Sequence, residues 1–293
     1  MLRGKLQLIC AMLIFGTIGI FVRYIPLPSS VIVFARGCIG ALFLLPFLFL
    51  KKEGSSKVFT SKKFPLLLLS GAVLGGNWIL LFEAYRYTTI STATACYYLA
   101  PMIVLLASPL VLGEKLTAKK ILCVLAALGG AILVSGVIQG GLPSAKEGAG
   151  IVFGLGAAVL YAGVILLNRK LKDIPSYTKT TVQLVSAAFV VLPYILLTVD
   201  LSALKVTFSS GVGLFVVGVV HTGLAYLPYF RSFRVLPAQT AAIFSYIDPV
   251  AAIFLSALVL QEMPDLFGIL GAVLILGSAL ISELPIGKKE SPN

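Results

Sequence analysis

The stretch Ala241–Leu260 reads AAIFSYIDPVAAIFLSALVL, which sets a carboxylate, Asp248, beside Pro249 in an otherwise apolar run. A charged group at membrane depth costs about 3 kcal/mol on insertion scales, so each such residue is a candidate for function. Five polar side chains stand well inside apolar runs: Arg36, Asn77, Gln183, His221 and Asp248. Asp248 lies ten residues into its run, near the midplane at about 1.5 Å per residue of helix. His221, the single histidine, lies at similar depth in the preceding run. Together they could hydrogen-bond and carry a proton, since imidazole titrates near neutral pH. They could equally form the acid/base pair of an intramembrane enzyme acting on a lipid or isoprenoid. The competing reading for His221 is a neutral group bonded to a carbonyl. For Asp248 we expect a group that is protonated or paired with substrate during a cycle.

Arg36 suits a carboxylate, which a guanidinium grips through two parallel hydrogen bonds. The alternative is a side chain that snorkels to the interface. Trp78, Tyr98, Tyr226 and Tyr246 offer rings for apolar, aromatic or cationic solutes, or simply for packing. Tyr98 and Tyr246 each stand three residues before a proline, Pro101 and Pro249. Prolines in spans free backbone polar groups that a solute or water can meet.

Apolar helices must position these groups. The chain has 293 residues, of which 59% are hydrophobic and only 12% charged, far from soluble usage. Apolar runs at 4–22, 29–50, 64–84, 92–112, 118–137, 149–167, 178–198, 210–230, 238–260 and 265–283 predict ten transmembrane helices. The first has a basic start but no clean cleavage site, and reads as an uncleaved span. Of the 23 basic residues, 18 fall in segments on the side of the N-terminus and four (Arg23, Arg86, Lys146, Lys205) on the other, with Arg36 inside a span. Basic loops stay in the cytoplasm, so both termini are expected inside. The net charge of +12 then reports topology and needs no nucleic acid.

The halves repeat. At a constant offset of 148 residues, Trp78 meets Tyr226, Arg86 meets Arg234, Tyr98 meets Tyr246, Pro101 meets Pro249, and Glu114 meets Glu262. Gln183 corresponds to Arg36 at an offset of 147. Two five-span units, 1–140 and 149–285, followed by a tail at 286–293, make an inverted repeat, because an odd number of spans reverses the second unit. The join, VIQGGLPSAKEGAG, is glycine-rich as a linker should be. In the first half YYLAPM carries Ala100 where Asp248 stands in the second. The proline therefore belongs to the repeat and the aspartate is the asymmetric addition.

A proline span ending in LGE (112–114) or LQE (260–262), followed by a glycine-rich span and occurring twice, resembles the EamA-like branch of the drug/metabolite transporter superfamily. The second copy departs from the first in having Gln261 for Gly113. The resemblance implies a ten-helix carrier, commonly an exporter of amino acids or other small metabolites, in the inner membrane. Protons are then the candidate coupling ion, with uncoupled movement down a gradient as the alternative.

No phosphate loop, HExxH or CxxC is present, so neither ATP nor a metal or other cofactor is implied. Cys10, Cys38, Cys96 and Cys123 read as small apolar groups. The expected partners are a small-molecule substrate and the lipid bilayer. Glycine pairs such as Gly71–Gly75 and Gly150–Gly154 fit close helix contacts.

Overall fold

The computed structural model describes residues 2–50, 56–88, 90–135, 138, 148–255, 258–259 and 265–284. Glu262, most of the glycine-rich join and the tail at 286–293 lie outside these residues. Among the described residues there are helices and no strands. The first half contains α1 (Leu2–Arg23), α2 (Ser29–Leu50), a short α3 (Ser56–Phe59), α4 (Phe64–Tyr87), α5 (Ile90–Tyr97), α6 (Ala100–Leu112) and α7 (Ala118–Ser135). The second contains α8 (Gly148–Lys170), α9 (Ser176–Thr198), α10 (Phe208–Gly218), α11 (Ala225–Ser232), α12 (Ala238–Phe244), α13 (Ile247–Leu255) and α14 (Leu266–Glu283).

Seven described helical segments are long and apolar enough to cross a bilayer: Leu2–Val22, Ser29–Leu48, Phe64–Tyr87, Thr92–Leu112, Gly148–Lys170, Ser176–Thr198 and Phe208–Ser232. The sequence predicts ten. The other three expected positions are held by α7, by the pair α12 and α13, and by α14, each shorter in its described part. Side chains such as Leu110, Leu197, Phe208 and Leu280 point outward, as a lipid-facing surface requires.

Local chemistry explains the interruptions. Pro101 has no N–H to return to the Tyr97 carbonyl, and α5 gives way to α6 at Tyr98–Leu99. Pro249 does the same for the Ser245 carbonyl, which accepts instead from the Asp248 N–H at 3.3 Å. Helix α12 accordingly gives way to α13 at Ser245–Tyr246. Between α10 and α11 the chain widens into a π turn at Val219–Leu224, where the Thr222 hydroxyl donates to the Val217 carbonyl at 3.1 Å. Pro228 follows four residues later and has no N–H to return to the Leu224 carbonyl.

The two halves pack in matching ways. Helix α4 lies on α8, as α1 lies on α11, while α6 and α5 lie on α8 as α13 lies on α1. Helix α2 meets α9, α6 meets α12, and α7 meets α14, each pairing equivalent elements of the two halves. In lipid such contacts depend on close approach more than on hydrophobic burial. A Cβ at Gly75 would stand 2.7 Å from the Ala187 carbonyl of α9, and one at Gly71 would stand 2.6 Å from that of Gln183. Gly150 meets Thr88 and Gly154 meets Cys96 in the same manner.

We therefore expect Gly75→Leu to cost roughly 1–3 kcal/mol by overpacking, seen as a lower midpoint of thermal unfolding in detergent. Gly129→Ala should not lower the midpoint, since nothing lies within 4 Å of the added Cβ and alanine is the better helix former. Equal midpoints for the two variants would contradict this packing.

Outside the spans, Lys63 Nζ stands 2.8 Å from Asp173 and ties a loop of one half to a loop of the other. The ammonium holds that carboxyl below its usual range. Both groups are well exposed, so the pair adds little stability.

Candidate functional site

The broken helices meet around a cavity of about 160 Å³ between the two halves. Asp248 and Arg36 line it, together with Trp78, Tyr98, Tyr226 and Tyr246. Asp248 reaches it from the first turn of α13. No described residue hydrogen-bonds or ion-pairs with its carboxylate. Gly16 of α1 supports the turn from behind, so close that a Cβ there would stand 3.0 Å from the Asp248 carbonyl oxygen.

Arg36 reaches the same cavity from α2. Its guanidinium lies 4.8 Å from the centre of the Trp78 ring, a cation–π contact. Its Nε is buried without a hydrogen-bond partner. The cavity thus presents one cation and one anion, neither neutralised by the protein.

The walls are mostly rings. Phe15 lies 5.1 Å from Tyr226, and Tyr97 stacks on Tyr161 at 5.1 Å. The hydroxyls of Tyr161 and Tyr229 share a hydrogen bond of 2.8 Å. Tyr246 donates its hydroxyl to the Tyr98 carbonyl at 2.6 Å, using the break in one half to anchor the break in the other. Phe15, Tyr97, Tyr161 and Tyr229 were not singled out from the sequence. Tyr229 follows Tyr226 at a spacing of three, the same helical face, and this spacing is a legible signal.

The remaining expected residues lie elsewhere. His221 and Asp248 are not paired: Asp248 lines the aromatic cavity and His221 does not. His221 Nε2 instead sits 2.7 Å from Thr17 Oγ1 of α1. Gln183 donates to Ser70 at 2.6 Å within the contact of α9 with α4. Asn77 donates to the Ala157 carbonyl at 2.7 Å and accepts from the Tyr97 hydroxyl at 3.4 Å, which holds a wall residue in place. Pro101 lines the cavity and Pro249 is buried beside it.

A larger cleft of about 730 Å³ opens at one end of the bundle, lined by Phe82, Tyr85, Arg86, Tyr194 and Lys205 among others. Phe82 and Tyr85 continue the α4 face that presents Trp78 and Leu81 to the inner cavity. In this cleft Glu83 accepts from Arg86 at 2.9 Å and also from Tyr194.

At the opposite end stands Glu114, which follows α6. Its two oxygens accept the Ala238 N–H at 2.7 Å and the Gln239 N–H at 3.2 Å, capping α12 of the other half. Arg169 Nε lies 3.9 Å from the same carboxylate. Lys120 donates to Gln239 at 2.6 Å, and Gln239 donates to Ser108 at 2.5 Å.

Lys179 is one of the 18 basic residues that the sequence places on the side of the N-terminus. It is fully buried in the first turn of α9, where it donates to the Phe230 carbonyl at 3.1 Å. Its long stem carries the ammonium inward to the end of α11, where freed carbonyls favour a cation.

Three comparisons with known proteins bear on this geometry. Residues 2–136 and 148–283 each match the EamA-like transporter family. An uncharacterized transporter of Bacillus subtilis (strain 168), YxxF, is 32% identical over 279 residues, covering 94% of this chain and 88% of its own. A solved crystal structure at 18% identity superposes with a TM-score of 0.86 over 96% of both chains, and so agrees in fold.

Proposed function

We propose, since the chain belongs to the EamA-like transporter family, that it is a secondary carrier of a small zwitterionic metabolite, an amino acid or a close relative. The single observation that carries this reading is the pairing of un-neutralised Arg36 and Asp248 in one small aromatic cavity. A zwitterion offers a carboxylate for the guanidinium and an ammonium for the aspartate. The volume, about 160 Å³, is close to that of a cavity known to accept benzene, about 150 Å³, so the solute is small. Rings around it favour the ammonium and apolar side chains.

Ten spans in two inverted halves would alternate access around this point. The cleft on the Tyr85 side and the Glu114 contact on the other support a state open at one end and closed at the other. By the distribution of basic residues the closed end faces the cytoplasm, with both termini on that side of an inner membrane. Outward movement rests on the family resemblance alone. Between substrate visits Asp248 is the natural site for a proton, which makes coupled exchange the working mechanism. An acid/base pair of Asp248 with His221 gains no support, since Asp248 lines the cavity while His221 does not and bonds Thr17, and the family is one of transporters.

Counterflow in proteoliposomes tests the reading. Vesicles loaded with an unlabelled neutral amino acid should accumulate the labelled form, in a panel that also holds amines, carboxylic acids and sugars. Exchange confined to sugars or to singly charged solutes would overturn it.

A further inference from the structure

A second cleft, of about 330 Å³, lies at the Glu114 end of the bundle, remote from the aromatic cavity. Arg3, Arg231 and Arg234 line it with Gly4, Gln7 and Val235. Close packing assembles the three arginines: a Cβ at Gly4 would stand 2.4 Å from a Val235 methyl and 3.2 Å from Leu236. The first turn of α1 is thereby pressed against the turn that follows α11.

Neighbouring cations have protein acceptors. Arg169 donates to the Phe233 and Arg234 carbonyls, Lys179 to the Phe230 carbonyl, and Lys63 to Asp173. The guanidinium groups of Arg3, Arg231 and Arg234 hydrogen-bond to none of the described residues, and no carboxylate lines the cleft; Asp173, which feels Arg234 at longer range, is already paired with Lys63. Three fixed positive charges around one concavity repel one another unless an anion enters. Each guanidinium presents a planar fork of donors that matches a phosphate better than a monovalent halide. The amide-rich N-terminal end of α1 faces the same space and adds to the attraction.

We propose that this cleft binds a phosphate-bearing anion, the phosphodiester of an anionic phospholipid headgroup or a soluble phosphate of the same shape. Arg3 opens the first span and Arg231 closes α11, so the cleft sits at the depth where headgroups lie. Basic pockets between spans are a recognised place for such headgroups. The bound anion bridges α1 of the first half to α11 of the second. It therefore strengthens the closed end whatever solute the aromatic cavity carries.

The test uses the full chain purified in neutral detergent, with thermal unfolding followed against added ligand. Dioctanoyl phosphatidylglycerol should raise the unfolding midpoint, and dioctanoyl phosphatidylcholine should not. The triple variant R3Q/R231Q/R234Q should bind phosphatidylglycerol more weakly on the order of a hundredfold, taking three basic contacts of ordinary surface strength. Glycerol phosphate that matches phosphatidylglycerol would support the site and assign it to a soluble anion. Should the triple variant not fold, Arg231→Gln alone, on an exposed side chain, must still weaken binding several-fold. Equal stabilisation by phosphatidylcholine, or undiminished phosphatidylglycerol binding in the variants, would overturn the proposal.

Discussion

Asp248→Asn protein is expected to insert and fold as the parent does, yet to exchange a zwitterionic solute roughly 10- to 150-fold more slowly, the worth of one charge-assisted hydrogen bond. The two halves of that statement have separate causes. Folding is spared because no described side chain depends on the carboxylate. Removing its charge leaves no orphaned partner and lowers the cost of holding a charge at depth. Transport suffers because the ammonium of the solute loses the one anion lining the cavity. Arg36→Gln should cost a similar factor through the solute's carboxylate. Arg36→Lys should recover part of the loss, because a lysine restores the charge over Trp78 but cannot offer two parallel donors. Counterflow rates at equal protein loading check the series, with gel filtration as the control for folding. Full activity in Asp248→Asn protein would remove the aspartate from the binding step.

Glu114→Gln is expected to loosen the closed end. The carboxylate accepts two backbone N–H groups of α12, one on each oxygen, and faces Arg169 at 3.9 Å. A glutamine amide offers one oxygen, turns an N–H toward the second donor, and leaves Arg169 without a counter-charge. The loss, about 2–4 kcal/mol for one charged cap with its unpaired donor, is enough to move a two-state equilibrium by a factor of roughly 30 to 1,000. Spin labels at the exposed positions Lys115 and Lys172 report on it. Their distance distribution should gain a longer component in the variant. An unchanged distribution would show that the cap is ornamental to closure.

Depth was legible in the sequence, and azimuth was not. Counting residues placed Asp248 and His221 at one level, but only the fold shows that Asp248 lines the aromatic cavity while His221 bonds Thr17. The same counting set Arg36 apart from the loop charges, yet nothing in the linear order aims it at the cavity that Asp248 enters. Duplication of the Tyr–x–x–Pro signal marked both helix breaks, because a missing N–H acts locally. The hydrogen bond from Tyr246 to the Tyr98 carbonyl joins residues 148 positions apart and has no local trace. The burial of Lys179 left no trace in the sequence, because a long stem can carry a cation inward from a helix end. Glu114 was recognised only as the close of a repeated motif. Its partners, the N–H groups of α12, lie in the other half.

The central claim is that one solute carries both charges to Arg36 and Asp248. Competition against counterflow of a labelled neutral amino acid tests it most directly. The competitors are the unlabelled amino acid, its decarboxylated amine and its deaminated acid. In the parent protein only the intact zwitterion should compete strongly, while Asp248→Asn protein should no longer distinguish it from the deaminated acid. A parent protein that accepts all three alike, or a variant that keeps the parent's discrimination, would contradict the account.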